Sequence, residues 1–485
     1  MTGFPIPDAA AAKTLGFALR AVGYSEAALH EVFGDDPYPE EDEAPAMERR
    51  LPDSRLATVI RLFLLQRPVA LADAVEALGR DGVEALATLG LAAVEDDVVP
   101  RTRTLPIGRL LITADGYAQG DDARDYVAVY SPTSQLCDSL TPRPRVARAL
   151  DVGTGSGIHA LLAAAHAEHV VATDVNARAL AFTELNAALN GVTNVECRLG
   201  SLFEPVAGET FDLITCNAPY VVSPEHRWQY RDSGFEGDEV SKRVVEEAAA
   251  HLADGGFATL LVSWLAEDDE KPDEHVLEWV ERTGCDGWIL ATWESDPLGH
   301  ATEWNSHLGG EALQQAVDEW TGYLDELGVA WVSEGAVLLH KRRGGGTTRV
   351  DSIVPDDVEV ADEQIVRAFA ARARLAELDG RGALLDERLS VEMALWLEQE
   401  LEPRHGRAAI VEARIRLSEG TNSTIDVDSG VLDVVASLDG RAQLGEVIET
   451  VARRLGLANN DVRRLERSAL KATAELLELG VLGLN

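Results

Sequence analysis

The stretch that decides the fold is DVGTGSGIHA, residues 151–160, in which three glycines alternate with small polar residues directly after an apolar run. Gly153, Gly155 and Gly157 permit a tight turn, and they leave the backbone bare where a helix is expected to begin. Bare N–H groups at the start of a helix suit a bound ligand. Glycine loops also occur in dinucleotide enzymes and in plain turns, so the loop alone does not identify the ligand.

The chain around this loop alternates short apolar strands with helices. The segments follow in the order ARALDVG, IHALLAAAHA, HVVATDV, ARALAFTELNAALN, VECRLGS and FDLITCNAPY. This alternation predicts a parallel α/β sheet. Further on, FATLLVSWL predicts the next strand, and GWILATW with GVAWVSEGAVLLHKRR predicts closing antiparallel strands.

The second strand narrows the choice of ligand. VVATDVN ends in Asp174, about twenty residues after the glycines, where a carboxylate can accept both hydroxyls of an adenosine ribose. Dinucleotide enzymes favour G-x-G-x-x-G, with close helix packing at the third glycine. DVGTGSG has a different spacing and carries Asp151 at its head. The spacing therefore favours S-adenosylmethionine over a nicotinamide dinucleotide.

In this combination the sequence resembles class I methyltransferases over about residues 125–265. DVGTGSG, ATDVN, NVECRLGSLFEPV and FDLITCNAPY follow one another in the order and at the spacings of that family. The resemblance implies a Rossmann-like α/β domain whose glycine loop wraps the methionine part of S-adenosylmethionine. Ser201 stands where many relatives have an aspartate that contacts adenine. The cofactor-binding residues that the resemblance implies are Asp151, Gly153, Thr154, Gly155, Gly157, Asp174, Val175, Asn176, Ser201, Leu202 and Asn217.

NAPY, residues 217–220, resembles the Asn-Pro-Pro-Tyr signature of N-methyltransferases that modify planar nitrogens. The resemblance implies that the amide oxygen of Asn217 and the carbonyl of Ala218 accept the two N–H bonds of a substrate NH2 group. Tyr220 would stack on the flat face of that group. Asn217, Pro219 and Tyr220 are the predicted catalytic residues, and Ala218, in place of the first proline, joins them in binding the substrate. This chemistry requires no metal.

Segments on either side of the signature extend the resemblance. Residues 223–256 are similar to the loop and helix that follow it in release-factor glutamine methyltransferases, and we expect a mobile loop there. Upstream, AVYSPTSQLCDSL resembles the segment that lines the methyl-transfer channel, with Ser131 and Thr133 as helix caps or cofactor contacts.

The four cysteines, Cys137, Cys197, Cys216 and Cys285, include no CxxC pair, so we expect neither disulfides nor a zinc site. Cytosine-C5 methyltransferases carry a cysteine nucleophile after the proline of this loop. Here Cys216 precedes Asn217 and Tyr220 occupies the position after the proline. We therefore expect no covalent catalysis by Cys216.

We expect three domains in the 485 residues. An N-terminal helical, winged-helix-like domain covers 1–110, the methyltransferase domain covers 111–345, and a helix-rich α+β accessory domain covers 346–485. This arrangement resembles actinobacterial methyltransferases with two flanking domains. The first domain is predicted from apolar residues at helical spacing in 54–66, 71–79 and 82–90, followed by two strands within 91–104. RRGGGTTR, at 342–349, is predicted to be a flexible link.

The net charge of the chain helps to choose between classes of methyl acceptor. With 83 acidic and 43 basic residues the formal net charge is -40, which opposes polyanion binding and would attract a basic protein. We therefore favour protein glutamine as the acceptor, with a nucleobase amine of RNA or DNA, a small molecule, or a non-catalytic cofactor-binding scaffold as alternatives. No secretion signal or membrane span is apparent, so we expect a cytoplasmic enzyme without a membrane partner.

Overall fold

The computed structural model describes residues 5–34, 37–38, 43–116, 125–225, 234–268, 270–378, 380–404 and 407–484. Within them the elements form an N-terminal helical region, a central α/β region and a C-terminal α+β region. In these described ranges, no helix is both long and apolar enough to cross a membrane.

The N-terminal region is built of helices around a small sheet. Its elements are α1 Ala9–Val22, α2 Glu26–Phe33, α3 Ala44–Glu48, α4 Arg55–Phe63, β1 Val69–Ala70, α5 Leu71–Thr88, β2 Ala92–Val94 and β3 Asp97–Pro100. The helices predicted at 71–79 and 82–90 both form within α5, on either side of a kink at Gly79, where φ is 74°. The antiparallel pair β2 and β3 confirms the two strands predicted within 91–104.

A hairpin connects this region to the central one. Its strands are β4 Thr102–Ile107 and β5 Leu110–Asp115. Asn186 donates to the carbonyl of Thr113 at 2.8 Å and accepts from its N–H at 2.9 Å, so the amide side chain pairs with β5 as a neighbouring strand would. The predicted boundary at 110 falls at the start of β5, inside this hairpin.

The central region is an α/β sheet with helices on both faces. Its order within the described residues is β13-β11-β12-β10-β9-β6-β7-β8. The elements are α6 Pro132–Ser139, β6 Val146–Val152, α7 Ile158–Ala163, β7 Ala167–Asp174, α8 Ala177–Asn190, β8 Val195–Leu199, β9 Phe211–Cys216, α9 Glu239–His251, β10 Leu252–Ala266, α10 Glu274–Thr283, β11 Asp286–Ser295, α11 Pro297–Trp304, α12 Gly310–Glu326, β12 Trp331–His340 and β13 Thr348–Ser352.

The pairing directions confirm the α/β class predicted from the sequence. Strands β6 to β10 pair in parallel, whereas β12 runs antiparallel to both β10 and β11. The inner strands are buried on both faces of the sheet and are therefore rich in apolar residues, as in the continuously buried stretch from Leu260 to Ala266 of β10. From β6 the chain proceeds to β7 and β8 on one side and returns to β9 on the other. Ligands of open α/β sheets bind beside the carboxyl ends of the strands at such a reversal.

The predicted flexible link is wrong in its second half. Residues 348–352 form β13, which pairs in parallel with β11 at the edge of the main sheet. The carboxylate of Asp286 accepts hydrogen bonds from the backbone N–H groups of Gly346 and Thr347, both at 3.0 Å. The glycines therefore form an anchored turn instead of a free tether.

The C-terminal region contains α13 Asp362–Glu377, β14 Arg388–Val391, β15 Leu395–Arg404, β16 Arg407–Leu417, β17 Thr424–Asp426, α14 Ser429–Val435, β18 Asp439–Gln443, α15 Leu444–Arg454, α16 Asn459–Glu478 and β19 Leu482–Leu484. Its sheets have the orders β18-β14-β19 and β15-β16-β17. Its apolar core is continuous with the α6 side of the main sheet, where Leu136, Leu290 and Ala336 join Phe369 and Ile365.

Candidate functional site

The glycine loop follows β6 and presents bare backbone at the reversal in strand order. Gly153 and Gly155 have φ values of +67° and +55°, which non-glycine residues rarely adopt. A Cβ on Gly153 would lie 2.8 Å from the Cβ of Ala218, whereas a Cβ on Gly155 would meet nothing within 4 Å. The loop therefore packs tightly on the NAPY segment at one glycine and faces open space at the next.

Asp151 holds this loop from beneath. Its buried carboxylate accepts hydrogen bonds from the hydroxyl of Thr154 at 2.6 Å, the hydroxyl of Thr215 at 2.8 Å and the N–H of Ala160 at 3.1 Å. Burial raises the pKa of Asp151. The carboxylate oxygens are engaged by the protein, so Asp151 and Thr154 position the loop. Direct contact of Asp151 and Thr154 with a cofactor stays a prediction.

Asp174 ends β7 beside the glycine loop, as predicted. Its two carboxylate oxygens accept from the N–H groups of Gly155 at 3.0 Å and Asn176 at 2.8 Å. Burial raises the pKa of Asp174, and the hydrogen bonds from Asn176 and Gly155 oppose that rise. Each oxygen retains a second lone pair, so the carboxylate can still accept from a ligand.

Val175 and Asn176, the two residues after Asp174, differ in their surroundings. The Val175 side chain is 55% exposed, an apolar surface next to a carboxylate. Asn176 instead caps α8, because its side-chain oxygen accepts from the N–H of Arg178 at 2.9 Å. We therefore retain Val175 as a candidate ligand contact and assign the Asn176 side chain to the helix.

Ser201 and Leu202 follow β8 and turn back toward β7. The N–H of Gly200 donates to the carbonyl of Asp174 at 3.0 Å, and the hydroxyl of Thr173 donates to the carbonyl of Leu202 at 3.2 Å. Leu202 has φ of +46°, a conformation that costs free energy for a non-glycine residue. The predicted pair thus lies beside the end of β7, next to Asp174.

The NAPY segment leaves the sheet beside the glycine loop. Strands β6 and β9 pair in parallel, with Val152 opposite Cys216, so Gly153 and Asn217 are the next residues along each strand. The Asn217 amide nitrogen donates to the Ser134 hydroxyl of α6 at 3.3 Å. This contact uses the amide nitrogen and leaves the amide oxygen available as an acceptor.

Tyr220 and Pro219 are partly exposed at the end of this segment. Tyr220 packs against the core that contains the apolar residues of α6. Burial, with Glu334 and Cys137 nearby, raises the pKa of Tyr220, and a hydrogen bond with Thr133 opposes the rise. The phenol therefore stays protonated at neutral pH. Ser131 caps α6 by accepting from the N–H of Ser134 at 3.2 Å, which matches one of its predicted roles.

Cys216 has the surroundings of a core residue. It is buried in the apolar cluster under the sheet. Burial raises the pKa of its thiol to about 12, so the reactive thiolate is scarce at neutral pH. These are the surroundings of a structural thiol, and the absence of covalent catalysis by Cys216 stays a prediction.

Sequence reasoning missed a polar cluster behind the NAPY segment. His300, on α11, donates from Nε2 to the carbonyl of Val222 at 2.8 Å, and its Nδ1 lies 3.8 Å from Glu334. The indole N–H of Trp304 donates to Glu334 at 2.7 Å. Burial raises the pKa of Glu334 to about 7 and lowers the pKa of His300 to about 4. One signal was available, because Glu334 is an acidic residue within an apolar strand.

The insertion that supplies this cluster also contacts the chain beyond NAPY. Helices α11 and α12 lie between β11 and β12, and Val221 packs against Ala301 and Trp320. The N–H of Gly237 donates to the Tyr323 hydroxyl at 2.8 Å. The mobile loop predicted within 223–256 falls partly on residues 226–233, which lie outside the described residues. In the described parts of the chain, no group of three or more His, Cys, Asp or Glu is placed to hold a metal ion.

Comparison with known proteins gives a family for part of the chain. Residues 129–266 match the family described as methyltransferase small domain, and residues 21–103 match a domain of unknown function, DUF7059. A release factor glutamine methyltransferase of Xylella fastidiosa is 35% identical over 129 residues, 24% of this chain and 47% of the relative.

Another relative and a solved structure also match only part of this chain. A ribosomal protein uL3 glutamine methyltransferase of Bradyrhizobium diazoefficiens is 34% identical over 171 residues, 32% of this chain and 54% of the relative. The crystal structure of a methyltransferase from Pyrococcus furiosus is 20% identical, with a TM-score of 0.30, and the match covers 47% of this chain and 90% of that one. The chain spans about half the length of these two sequence relatives.

The family match fits the sheet order and the glycine loop. Residues 129–266 match the methyltransferase small domain, and the central α/β region has the mostly parallel sheet that is typical of the class I methyltransferase fold. This confirms the fold and the family resemblance that the sequence motifs predicted.

Proposed function

We propose that this chain is an S-adenosylmethionine-dependent N-methyltransferase whose acceptor is the side-chain amide of a protein glutamine. The observation that carries the proposal is the adjacency of two motifs. Parallel pairing of β6 and β9 brings the glycine loop and NAPY out of the sheet side by side, with Asp174 next to the loop. A methyl donor and an amide acceptor held there would be neighbours.

The residues at the carboxyl ends of β6, β7 and β8 fit the cofactor. Gly155 leaves open space beside the backbone, Asp174 offers carboxylate oxygens to a ribose, and exposed Val175 offers an apolar surface to a purine. Leu202, partly buried at the same end of the sheet, is suited to the purine's other side. When bound, S-adenosylmethionine supplies an electrophilic methyl group.

The acceptor side fits a planar NH2 group. An amide nitrogen is a poor nucleophile because its lone pair is delocalised, so orientation has to supply much of the rate. The Asn217 oxygen and the Ala218 carbonyl would accept its two N–H bonds, and these hydrogen bonds strengthen as positive charge develops on the nitrogen. Ser134 holds the Asn217 amide in place, and Tyr220 offers a ring face.

Charge and relatives favour protein over nucleic acid. Two relatives are named for glutamine methylation, of a release factor and of ribosomal protein uL3. A net charge of -40 repels phosphates over a Debye length of about 8 Å and attracts basic proteins.

A labelling experiment tests the acceptor. The enzyme is incubated with tritiated S-adenosylmethionine and lysate from a strain lacking it, and parallel samples are treated with protease or ribonuclease. We expect label that protease removes and that acid hydrolysis releases as methylamine, because hydrolysis of an N-methylated glutamine side chain gives glutamate and methylamine. Asn217→Ala, which should retain cofactor binding, is the control for background label. Label lost to ribonuclease would refute the glutamine proposal in favour of a nucleobase, and label in small molecules would refute both macromolecular acceptors. Cofactor binding without label in any fraction would indicate a scaffold.

A further inference from the structure

The hairpin of β15 and β16 in the C-terminal region exposes large apolar side chains. Trp396, Leu397, Leu401 and Ile410 are 57%, 37%, 56% and 44% exposed. Their concentration in one hairpin distinguishes them from the single exposed apolar residues that are normal on protein surfaces. Leu401 lies opposite Ile410 in the ladder and shares its face of β15 with Leu397, whereas Trp396 lies on the other face. Exposed apolar side chains grouped on one face mark an interaction site.

One edge of this hairpin is open for pairing. Strand β16 lies between β15 and β17, and among the described residues β15 pairs with β16 alone. The carbonyl of Ala413 accepts from Val427, on the β17 side, and the carbonyl of Ala394 accepts from Ser418, on the β16 side. Since backbone directions alternate along a strand, Leu397 and Gln399 direct their N–H and C=O groups away from β16. Among the described residues these groups have no partner strand, so they form an unpaired ladder edge.

The two faces of β15 differ in chemistry. Leu397, Gln399 and Leu401 share one face, because side chains alternate along a strand. On this face a groove of about 250 Å³ lies between the hairpin and α14, lined by Leu397, Gln399, Leu432, Asp433 and Ala436. Trp396, Glu398, Glu400 and Glu402 share the other face. A strand docked along β15 would therefore meet Leu397 and Leu401, with the polar Gln399 between them, on one side, and Trp396 with three carboxylates on the other.

The carboxylate face has an unbalanced charge. Glu398 pairs with Arg416 at 2.9 Å, and Glu412 pairs with Arg414. Glu400 instead lies directly opposite Glu412 in the ladder, and among the described residues no basic side chain pairs with it. Like charges at opposed positions destabilise a sheet. A basic residue from a partner strand would remove this repulsion and could also stack on Trp396.

We propose that the free edge of β15 binds an extended segment of another protein as an additional strand, and that basic and apolar residues alternate in this segment. Backbone hydrogen bonds to Leu397 and Gln399 supply the pairing. The apolar residues of the segment extend the Leu397 and Leu401 face, and its Lys or Arg residues lie beside Glu398 and Glu400. The overall charge of -40 favours approach of such a segment.

Peptide binding to the full-length chain tests this proposal. The probe is a fluorescein-labelled peptide of alternating Lys and Val with ten residues, the length of β15. A peptide of alternating Glu and Val and a peptide with the same lysines grouped together are the controls. We expect anisotropy to report binding of the alternating Lys peptide only, and amide hydrogen exchange to slow within 395–404. Equal binding of either control peptide, or no slowing in that strand, would overturn the proposal.

Two variants of β15 distinguish strand addition from general charge attraction. Gln399→Pro removes an outward N–H, which an edge strand tolerates, and should weaken binding about tenfold, whereas Gln399→Ala should bind as the wild type does. Glu400→Lys places opposite charges across from each other, so it should fold well, weaken the Lys peptide about threefold or more and improve binding of the Glu peptide. Wild-type affinity in both Gln399→Pro and Glu400→Lys would overturn the proposal. Tighter binding of a single-stranded RNA oligonucleotide at the same edge would overturn the choice of a protein partner.

Discussion

Replacing Asp174 by alanine perturbs the point where the glycine loop meets the proposed ribose site. In the free protein the carboxylate accepts the N–H groups of Gly155 and Asn176 at 3.0 and 2.8 Å. Asp174→Ala removes both acceptors and also the acceptor proposed for the ribose hydroxyls. We therefore expect two separate effects, one on the stability of the protein and one on its affinity for S-adenosylmethionine.

The magnitude of both effects follows from the free energy that a hydrogen bond to a charged group contributes. Such a bond contributes about 1.5 to 3 kcal/mol. Loss of a ribose contact of that strength raises the Kd about 10- to 150-fold, because every ~1.4 kcal/mol is a factor of ten. Two backbone donors left without their acceptor lower the free energy of unfolding by about 1 to 3 kcal/mol.

Asp212 provides the matched control. Its carboxylate accepts the N–H groups of Ala147 and Arg148 at 3.1 and 2.9 Å, at the start of β9 and so at the opposite end of the sheet from the crevice. Asp212→Ala should lower the free energy of unfolding by a similar amount and leave the Kd unchanged. Calorimetry measures the Kd, and denaturant titration measures the stability. If Asp174→Ala bound the cofactor as tightly as Asp212→Ala does, the ribose assignment would be refuted.

Other substitutions test the acceptor side and the buried groups around it. Asn217→Ala should lower kcat about 100-fold or more with little change in cofactor Kd, and a parallel loss of both would make Asn217 structural. Tyr220→Phe should retain activity and Tyr220→Ala should lose it in the same methyl-transfer assay, because the ring face makes the proposed contact. An inactive Tyr220→Phe would instead assign the role to the hydroxyl. Cys216→Ser should remain active because burial raises the pKa of the thiol to about 12, and a trapped enzyme–substrate adduct in mass spectra would contradict this. Burial raises the pKa of Glu334 from 4.5 to about 7, so the native state loses stability as pH rises through that window. Glu334→Gln should therefore be more stable than wild type by up to about 3 kcal/mol near pH 8 and no more stable near pH 4, as denaturant titrations at both pH values would show.

The sequence predicted those parts of the site whose geometry depends on a few consecutive residues. Glycines with positive φ and an acidic residue at the end of the next strand depend on local geometry, and both Gly155 and Asp174 lie where the motifs predicted. The hydrogen-bond partners of Asp151 could not be predicted. Two of its partners, Ala160 and Thr215, come from a following helix and from a strand 64 residues away. A motif describes the residue but not the neighbours that the sheet brings to it.

The polar cluster behind NAPY was hidden for a related reason. His300 and Glu334 are separated in sequence by α12, and they meet because β11 and β12 pair antiparallel around the helical insertion. Nothing in the sequence near Glu334 indicates that partner. The flexible link was mispredicted because glycine content was interpreted without Asp286, whose carboxylate binds the turn at Gly346 and Thr347 from another strand.

The close packing of Gly153 on Ala218 links the two halves of the proposed reaction. Residues of the cofactor loop and the acceptor signature are 65 positions apart in the sequence, yet a Cβ on Gly153 would lie only 2.8 Å from the Cβ of Ala218. Because β6 and β9 are hydrogen-bonded neighbours, their relative position is fixed by the sheet and not by flexible loops. Methyl transfer to a weakly nucleophilic amide depends on alignment more than on any single charged group. In the proposed reaction the fold would supply that alignment through backbone pairing, and Asn217, Ala218 and Tyr220 would need only to select and hold a planar nitrogen beside a donor that the glycine loop has already positioned.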